Sequence, residues 1–84
     1  MAYTVILKRT AEKELARLPA TLHRRIVAKL LELENDPRPP GVQKLHGHDG
    51  HRIRIGDYRV LYLIEDPRET IQVTAIGHRR EVYR

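Results

Sequence analysis

The stretch Asp36-Pro-Arg-Pro-Pro-Gly41 is the feature that most limits how this chain can fold. Each proline fixes φ and removes a backbone donor, so neither a helix nor a central strand runs through it. The hydrophobic period also changes there, from near four to two. Before the break, Tyr3 to Lys8 has the β-branched character of a short strand. Thr10 then offers an N-cap for a helix that reaches Leu18 and stops at Pro19, with Ala11, Leu15 and Leu18 on one face. From Thr21 to Asn35, Leu22, Ile26, Leu30 and Leu33 recur at helical spacing, reinforced by Val27 and Leu31. His23, Arg24, Arg25 and Lys29 mostly occupy the opposite side and read as a solvated helix face. The result is a helical hairpin whose apolar stripes need a sheet to cover.

After the break, the His- and Gly-rich loop Leu45-His-Gly-His-Asp-Gly50 leads into alternating residues. His51 to Ile55 and Tyr58 to Glu65 are separated by Gly56-Asp57, a pair suited to a two-residue type II′ turn. Asp66-Pro-Arg-Glu69 then turns into a strand over Thr70 to Ile76. The expected fold class is α+β, with an N-terminal strand and a helical hairpin on one face of a small antiparallel sheet. With 84 residues, one domain spanning 1–84 is expected. A chain this short buries only about 60–65% of its unfolded surface, so its core must be small and well packed.

Composition then excludes several kinds of chemistry. There is no cysteine, which removes disulfides, thiolate catalysis and Cys-based metal sites, and fits a reducing cytoplasm. The longest apolar runs fall far short of the roughly 20 residues of a membrane helix, so no membrane association is expected. Sixteen Lys and Arg against eleven Asp and Glu leave a net charge of +5, and arginine greatly outnumbers lysine. Such a balance favours a polyanionic partner, because the guanidinium fork matches phosphate geometry.

Register concentrates that charge. If Gly56-Asp57 is the whole turn, Arg54 faces Arg59, Ile53 faces Val60 and Arg52 faces Leu61. One face then carries His51, Ile53, Ile55, Tyr58, Val60, Tyr62 and Ile64, an apolar surface for the helices. The other carries Arg52, Arg54, Arg59, Leu61 and Leu63. Carrying the register through the 66–69 loop puts Ile71, Val73 and Ala75 with the apolar set and Gln72, Thr74 and Ile76 with the arginines. Like charges directly across a strand pair cost a few tenths to about 1 kcal/mol, which a bound polyanion would offset. The closing segment Ile76-Gly-His-Arg-Arg-Glu-Val-Tyr-Arg84 brings further basic residues to the same end. Strict alternation places His78 on the arginine face, whereas a bulge at Gly77 swings Arg79 there instead. Tyr58, Tyr62 and Tyr3 are expected to pack in the core with bonded hydroxyls.

The run His51-Arg-Ile-Arg-Ile-Gly-Asp-Tyr-Arg-Val-Leu-Tyr62, followed by Ile76-Gly-His-Arg-Arg-Glu-Val-Tyr83, resembles the RelE/ParE toxin superfamily, and specifically its RelE branch. The resemblance covers essentially the whole chain, including the helix at Ala11-Glu-Lys-Glu-Leu15 and the Lys44-Leu45 before the sheet. It implies a toxin of a type II toxin–antitoxin pair, a ribosome-dependent endoribonuclease that cleaves mRNA in the ribosomal A site. It implies an acidic antitoxin, the ribosome and mRNA as partners, and no cofactor or metal. The family's site residues fall on Arg52 and Arg54, on Arg59, and on Arg79 and Tyr83. Lys44, His48, Arg52 and Arg80 are the expected RNA contacts.

Cleavage by 2′-hydroxyl attack needs a base, an acid for the leaving group and cations around a phosphorane, and arginines supply the cations. Arginine is a poor proton acceptor, and some relatives have lysine on that strand, so the base must come from Tyr83 or His78. Arg79 is assigned near the leaving oxygen, with Arg52, Arg54 and Arg59 on phosphates. With the sequence ending just after Tyr83, control of the site by an extra C-terminal helix, as in some relatives, is not expected. For a ribosome-directed protein, the basic helix face around Arg24, Arg25 and Lys29 would add salt-sensitive rRNA contacts.

Three other readings compete. His46, His48, Asp49 and His51 have ligand-rich spacing, but His23 and His78 sit in unrelated segments, so a solvated loop beside an RNA groove is expected in place of a metal site. A ParE-like protein that poisons gyrase would share the fold without the full arginine and tyrosine set. A catalytically silent module that binds antitoxin or nucleic acid is the third.

Overall fold

The computed structural model describes residues 3–45 and 50–78. In chain order the elements are β1 (Thr4–Leu7), α1 (Arg9–Ala16), α2 (Ala20–Asn35), β2 (Gln43–Lys44), β3 (Gly50–Ile55), β4 (Tyr58–Glu65), a 3-10 turn at Asp66–Arg68, and β5 (Thr70–His78). The five strands form one sheet in the order β1-β5-β4-β3-β2. Both helices pack on one face. Ala11, Ile26, Leu30 and Leu33 meet Ile53, Ile55, Val60, Tyr62, Ile71, Val73 and Ile76 in a single core.

The proline-rich segment breaks the chain as its sequence requires. Val42 N–H donates to Pro39 O at 3.1 Å around Pro40-Gly41, and Gly41 holds φ at +92°, a type II pattern that needs glycine at its third position. Buried Tyr62 donates its hydroxyl to Pro37 O at 2.9 Å, tying the segment to the sheet, and burial pushes that phenol up to about 12. A second tie lies outside the core, where Asp66 accepts bonds from both Arg38 guanidinium nitrogens (3.0 and 3.4 Å) and from Tyr3 OH (2.5 Å).

Four expectations need correction. The sheet is mixed: β2 to β5 are antiparallel, but β1 lies parallel to β5, with Thr4 opposite Thr70 and Leu7 opposite Val73. After β1 the helical hairpin crosses the sheet face, so β1 can only border the outer edge of β5, whose direction the meander has already set. Thr10 is not a cap. Helix α1 begins at Arg9 after an extended Lys8, without a side-chain cap, and ends at Ala16. The Thr10 hydroxyl instead donates to Thr74 O at 3.4 Å.

The third and fourth corrections share one cause. The bulge falls at Thr74, not at Gly77: Leu61 pairs with Ala75, whereas Tyr62 pairs with Val73. Thr74 is the extra residue, and its hydroxyl donates to Leu61 O at 3.3 Å where the ladder is interrupted. Beyond it the faces exchange. Ile76 is buried at 1% exposure in the core, while Ala75 moves to the arginine side. Helix α1 holds this arrangement, because β1 ends at Leu7 and the Glu14 carboxylate accepts Ile76 N–H at 2.9 Å on the edge of β5 that β1 no longer pairs.

Candidate nucleic-acid interface

The β3–β4 hairpin builds the site. Gly56 takes φ of +61° while Asp57 keeps a negative φ, as a type II′ turn demands. The two-residue loop locks Arg52 to Leu61, Arg54 to Arg59 and Ile55 to Tyr58. Alternation therefore projects Arg52, Arg54 and Arg59 from the face that the helices leave open. Arg54 is exposed, and Arg52 and Arg59 are half-buried. The like-charge pair is eased by a turn-directed bond, in which Arg54 Nε donates to Gly56 O at 3.1 Å. Arg52 donates to the side-chain oxygen of Gln43, its neighbour on β2.

These residues line an open groove of about 600 Å³, bounded by Lys29, Gly41, Gln43, Arg52, Arg54 and Arg59. Among the described residues that line it, four are cationic and none is a carboxylate, so this lining is chemically an anion site. No histidine is among the described residues that line it. No group of three or more His, Asp and Glu side chains among the described residues is arranged to hold a metal ion.

The other expected site residues are distributed unevenly. His78 pairs with Tyr58 and packs edge-on against it, with ring centroids 5.7 Å apart, on the helix side of the sheet. It is thus on the face opposite the arginines, because the Thr74 bulge has already reversed the alternation. Gly77, opposite Arg59, takes the arginine side instead. Lys44 pairs with His51 on β2, one residue out of step with Gln43, and does not line the groove. Arg79, Arg80, Tyr83 and His48 lie outside the described residues, as do His46 and Asp49. His51 is buried and stacks on Tyr62 at 5.7 Å. Two groove residues were not expected beside the arginines. Gln43, just after the proline-rich break, carries no signal of its own, and Lys29 was expected on a basic helix face, solvated or touching rRNA. For Lys29 the available signal was its i+4 spacing from Arg25, which gives α2 a basic stripe.

The family described as the ParE toxin of type II toxin–antitoxin systems, parDE, matches residues 5–83. The chain belongs to this RelE/ParE toxin family. It is similar to Toxin RelG of Mycobacterium tuberculosis, 33% identical over 90 aligned residues that span 100% of this chain and 99% of the relative. Toxin RelE of the same organism is 34% identical, covering 98% of this chain and 87% of its own length. Among solved structures, the toxin in an archaeal RelE–RelB complex from Pyrococcus horikoshii superposes with a TM-score of 0.86 at 32% identity, over 98% of this chain and all of the other. The chain is a RelE-like toxin with two helices packed on a five-stranded mixed sheet, and none of its described helices is long and apolar enough to cross a membrane.

Proposed function

We propose that this toxin is a ribosome-dependent endoribonuclease that cuts mRNA in the ribosomal A site without a metal ion. The observation that carries the reading is the groove itself, where Arg52, Arg54, Arg59 and Lys29 converge with no carboxylate among them. Such a site suits a phosphorane, whose extra negative charge develops in the transition state. In the proposed reaction the RNA 2′-hydroxyl loses its proton to a base and its oxygen bonds to phosphorus. The P–O5′ bond breaks, and the leaving oxygen takes a proton. The products are a 2′,3′-cyclic phosphate and a 5′-hydroxyl. Arg52, Arg54 and Arg59 hold non-bridging oxygens, and Arg79 neutralises the leaving oxygen. Between the two candidate bases, the position of His78 on the helix side favours Tyr83.

The cognate partner in this proposal is an acidic RelB-like antitoxin. Support comes from complexes of related toxins, among them the RelBE2 toxin–antitoxin complex of M. tuberculosis, at TM-score 0.83 and 27% identity. The open face is suited to a protein as well as to RNA. Beside the arginines it carries Ile6, 49% exposed, and the half-buried Leu61 and Leu63. An amphipathic acidic segment would cover both halves and block the groove.

The test is to add purified toxin to mRNA alone and to ribosomes programmed with an empty A site, then to map ends by primer extension. Cuts confined to the A-site codon of programmed ribosomes are expected. Uncut mRNA together with inhibited gyrase would replace the nuclease reading with gyrase poisoning. Arg59→Ala and Tyr83→Phe are expected to relieve growth arrest while the antitoxin still co-purifies with each variant.

A further inference from the structure

The groove does not stop at the arginine face. β2 borders β3 only at His51 and Arg52, and from Ile53 to Gly56 no strand lies beside that edge among the described residues. Ile53, Gly56 and Lys29 line the same groove as Arg52, Arg54 and Arg59, so the depression wraps around the edge of β3 and reaches α2. Arg25, one turn before Lys29, leans over the hairpin tip. A methyl group placed on Gly56 would stand 3.7 and 3.9 Å from the Arg25 guanidinium nitrogens. The carbonyl of that same Gly56 accepts the Arg54 bond. Two guanidiniums thus meet at one turn, and Arg25 and Lys29 form a like-charge i, i+4 pair that is mildly unfavourable in an isolated helix.

We infer that Lys29, supported by Arg25, is a second RNA-phosphate contact, so that the strand leaving the arginine face bends around the edge of β3 and runs along α2. The inference rests on the RNA-cleaving reading for the identity of the ligand. Its geometry is independent of which residue acts as base. Lys29 is held in reserve by Glu32, whose carboxylate lies 3.3 Å from Nζ with side-chain exposures of 30% and 63%. An exposed pair of this kind contributes at most about 1 kcal/mol, so Lys29 can exchange Glu32 for a phosphate at little cost. This gives the two residues opposite signs. Removing Lys29 weakens RNA binding, and neutralising Glu32 strengthens it, although Glu32 is not among the residues that line the groove.

The experiment measures binding of a short 2′-O-methyl oligoribonucleotide, which cannot undergo 2′-attack, by fluorescence anisotropy across a salt series. Lys29→Ala is expected to weaken binding about 5-fold and to lower the salt slope by about 0.7, the loss of one single-strand phosphate contact. Lys29→Arg keeps wild-type behaviour, and Glu32→Gln tightens binding about 2-fold at low salt. On programmed ribosomes Lys29→Ala raises the half-saturating toxin concentration by a larger factor than it lowers the single-turnover cleavage rate at saturation. A loss seen on the free oligonucleotide identifies the bound phosphate as the substrate strand's, whereas a loss confined to ribosomes would assign it to ribosomal RNA and overturn the path around β3. Wild-type binding by both Lys29→Ala and Glu32→Gln in both settings would overturn the inference. So would a lowered saturating rate with unchanged binding. Shifts of opposite sign without any cleavage would leave this contact standing and overturn the nuclease reading alone.

Discussion

Strand β4 makes two antiparallel pairings that obey different rules. Against β3, a two-residue turn fixes an uninterrupted register from Ile55–Tyr58 to Gly50–Leu63. Against β5, the register slips by one residue between Leu61 and Tyr62. The first is a local consequence of Gly56-Asp57 and needs nothing else from the fold. The second depends on a helix some sixty positions earlier in the chain, since Thr10 and Glu14 bond to Thr74 and Ile76. A tight turn writes its register into adjacent residues, whereas a bulge stabilised by tertiary contacts is invisible to alternation. The difference bears on function, because the bulge decides that Gly77 lies beside Arg59 and that His78 lies beneath the sheet with Tyr58.

The largest test of this contrast exchanges the two sides of the bulge. Ile76→Asp would bury a carboxylate in the core and is expected to cost about 4 kcal/mol or more, enough to unfold a domain of this size. Ala75→Asp, on the open side, is expected to cost less than about 1 kcal/mol. Urea unfolding of both variants reads the register directly, and the reverse order of stability would place the bulge elsewhere. Next in size, Arg59→Ala is expected to lower single-turnover cleavage on ribosomes by about 10²- to 10³-fold, while its thermal midpoint stays close to wild type. A loss of stability in its place would make Arg59 a structural residue.

Smaller effects report on the supports of each pairing. Glu14→Ala strips the partner from Ile76 N–H and is expected to cost about 1–2 kcal/mol, with Glu14→Gln restoring most of it because the amide oxygen still accepts. Equal losses in the two variants would show that charge, and not the accepted bond, matters there. The smallest effect is at the Arg38–Asp66–Tyr3 clasp. Arg38 first, and then the Tyr3 hydroxyl, hold the Asp66 carboxyl below its usual range. The folded-state value is therefore below the unfolded one, so its contribution is present above about pH 4 and is lost as pH falls through the folded value. Asp66→Asn is expected to flatten stability against pH below about 4 and to leave the slope above about 5 unchanged. An unaltered acid limb would remove the clasp from the account.

Most of the fold was legible for physical reasons that stay within a few residues. The apolar stripe of Ile26, Leu30 and Leu33 specifies α2, the prolines specify its end, and the glycine turn specifies the arginine face. The parallel placement of β1, the bulge at Thr74 and the recruitment of Lys29 to the groove were not legible, because each depends on where a helix docks. The candidate site divides in the same way. Arg52, Arg54 and Arg59 follow from one hairpin, but His78 needed the register of a second strand pair, and Gln43 needed the path of the proline-rich turn.

The central claim is that the groove lined by Arg52, Arg54 and Arg59 cleaves RNA by internal attack of the 2′-hydroxyl. The most direct measurement is the chemistry of the ends left on mRNA by the wild-type toxin on programmed ribosomes. A 2′,3′-cyclic phosphate on the upstream fragment and a 5′-hydroxyl on the downstream one are predicted. A 5′-phosphate on the downstream fragment, the signature of attack by water, would contradict the account.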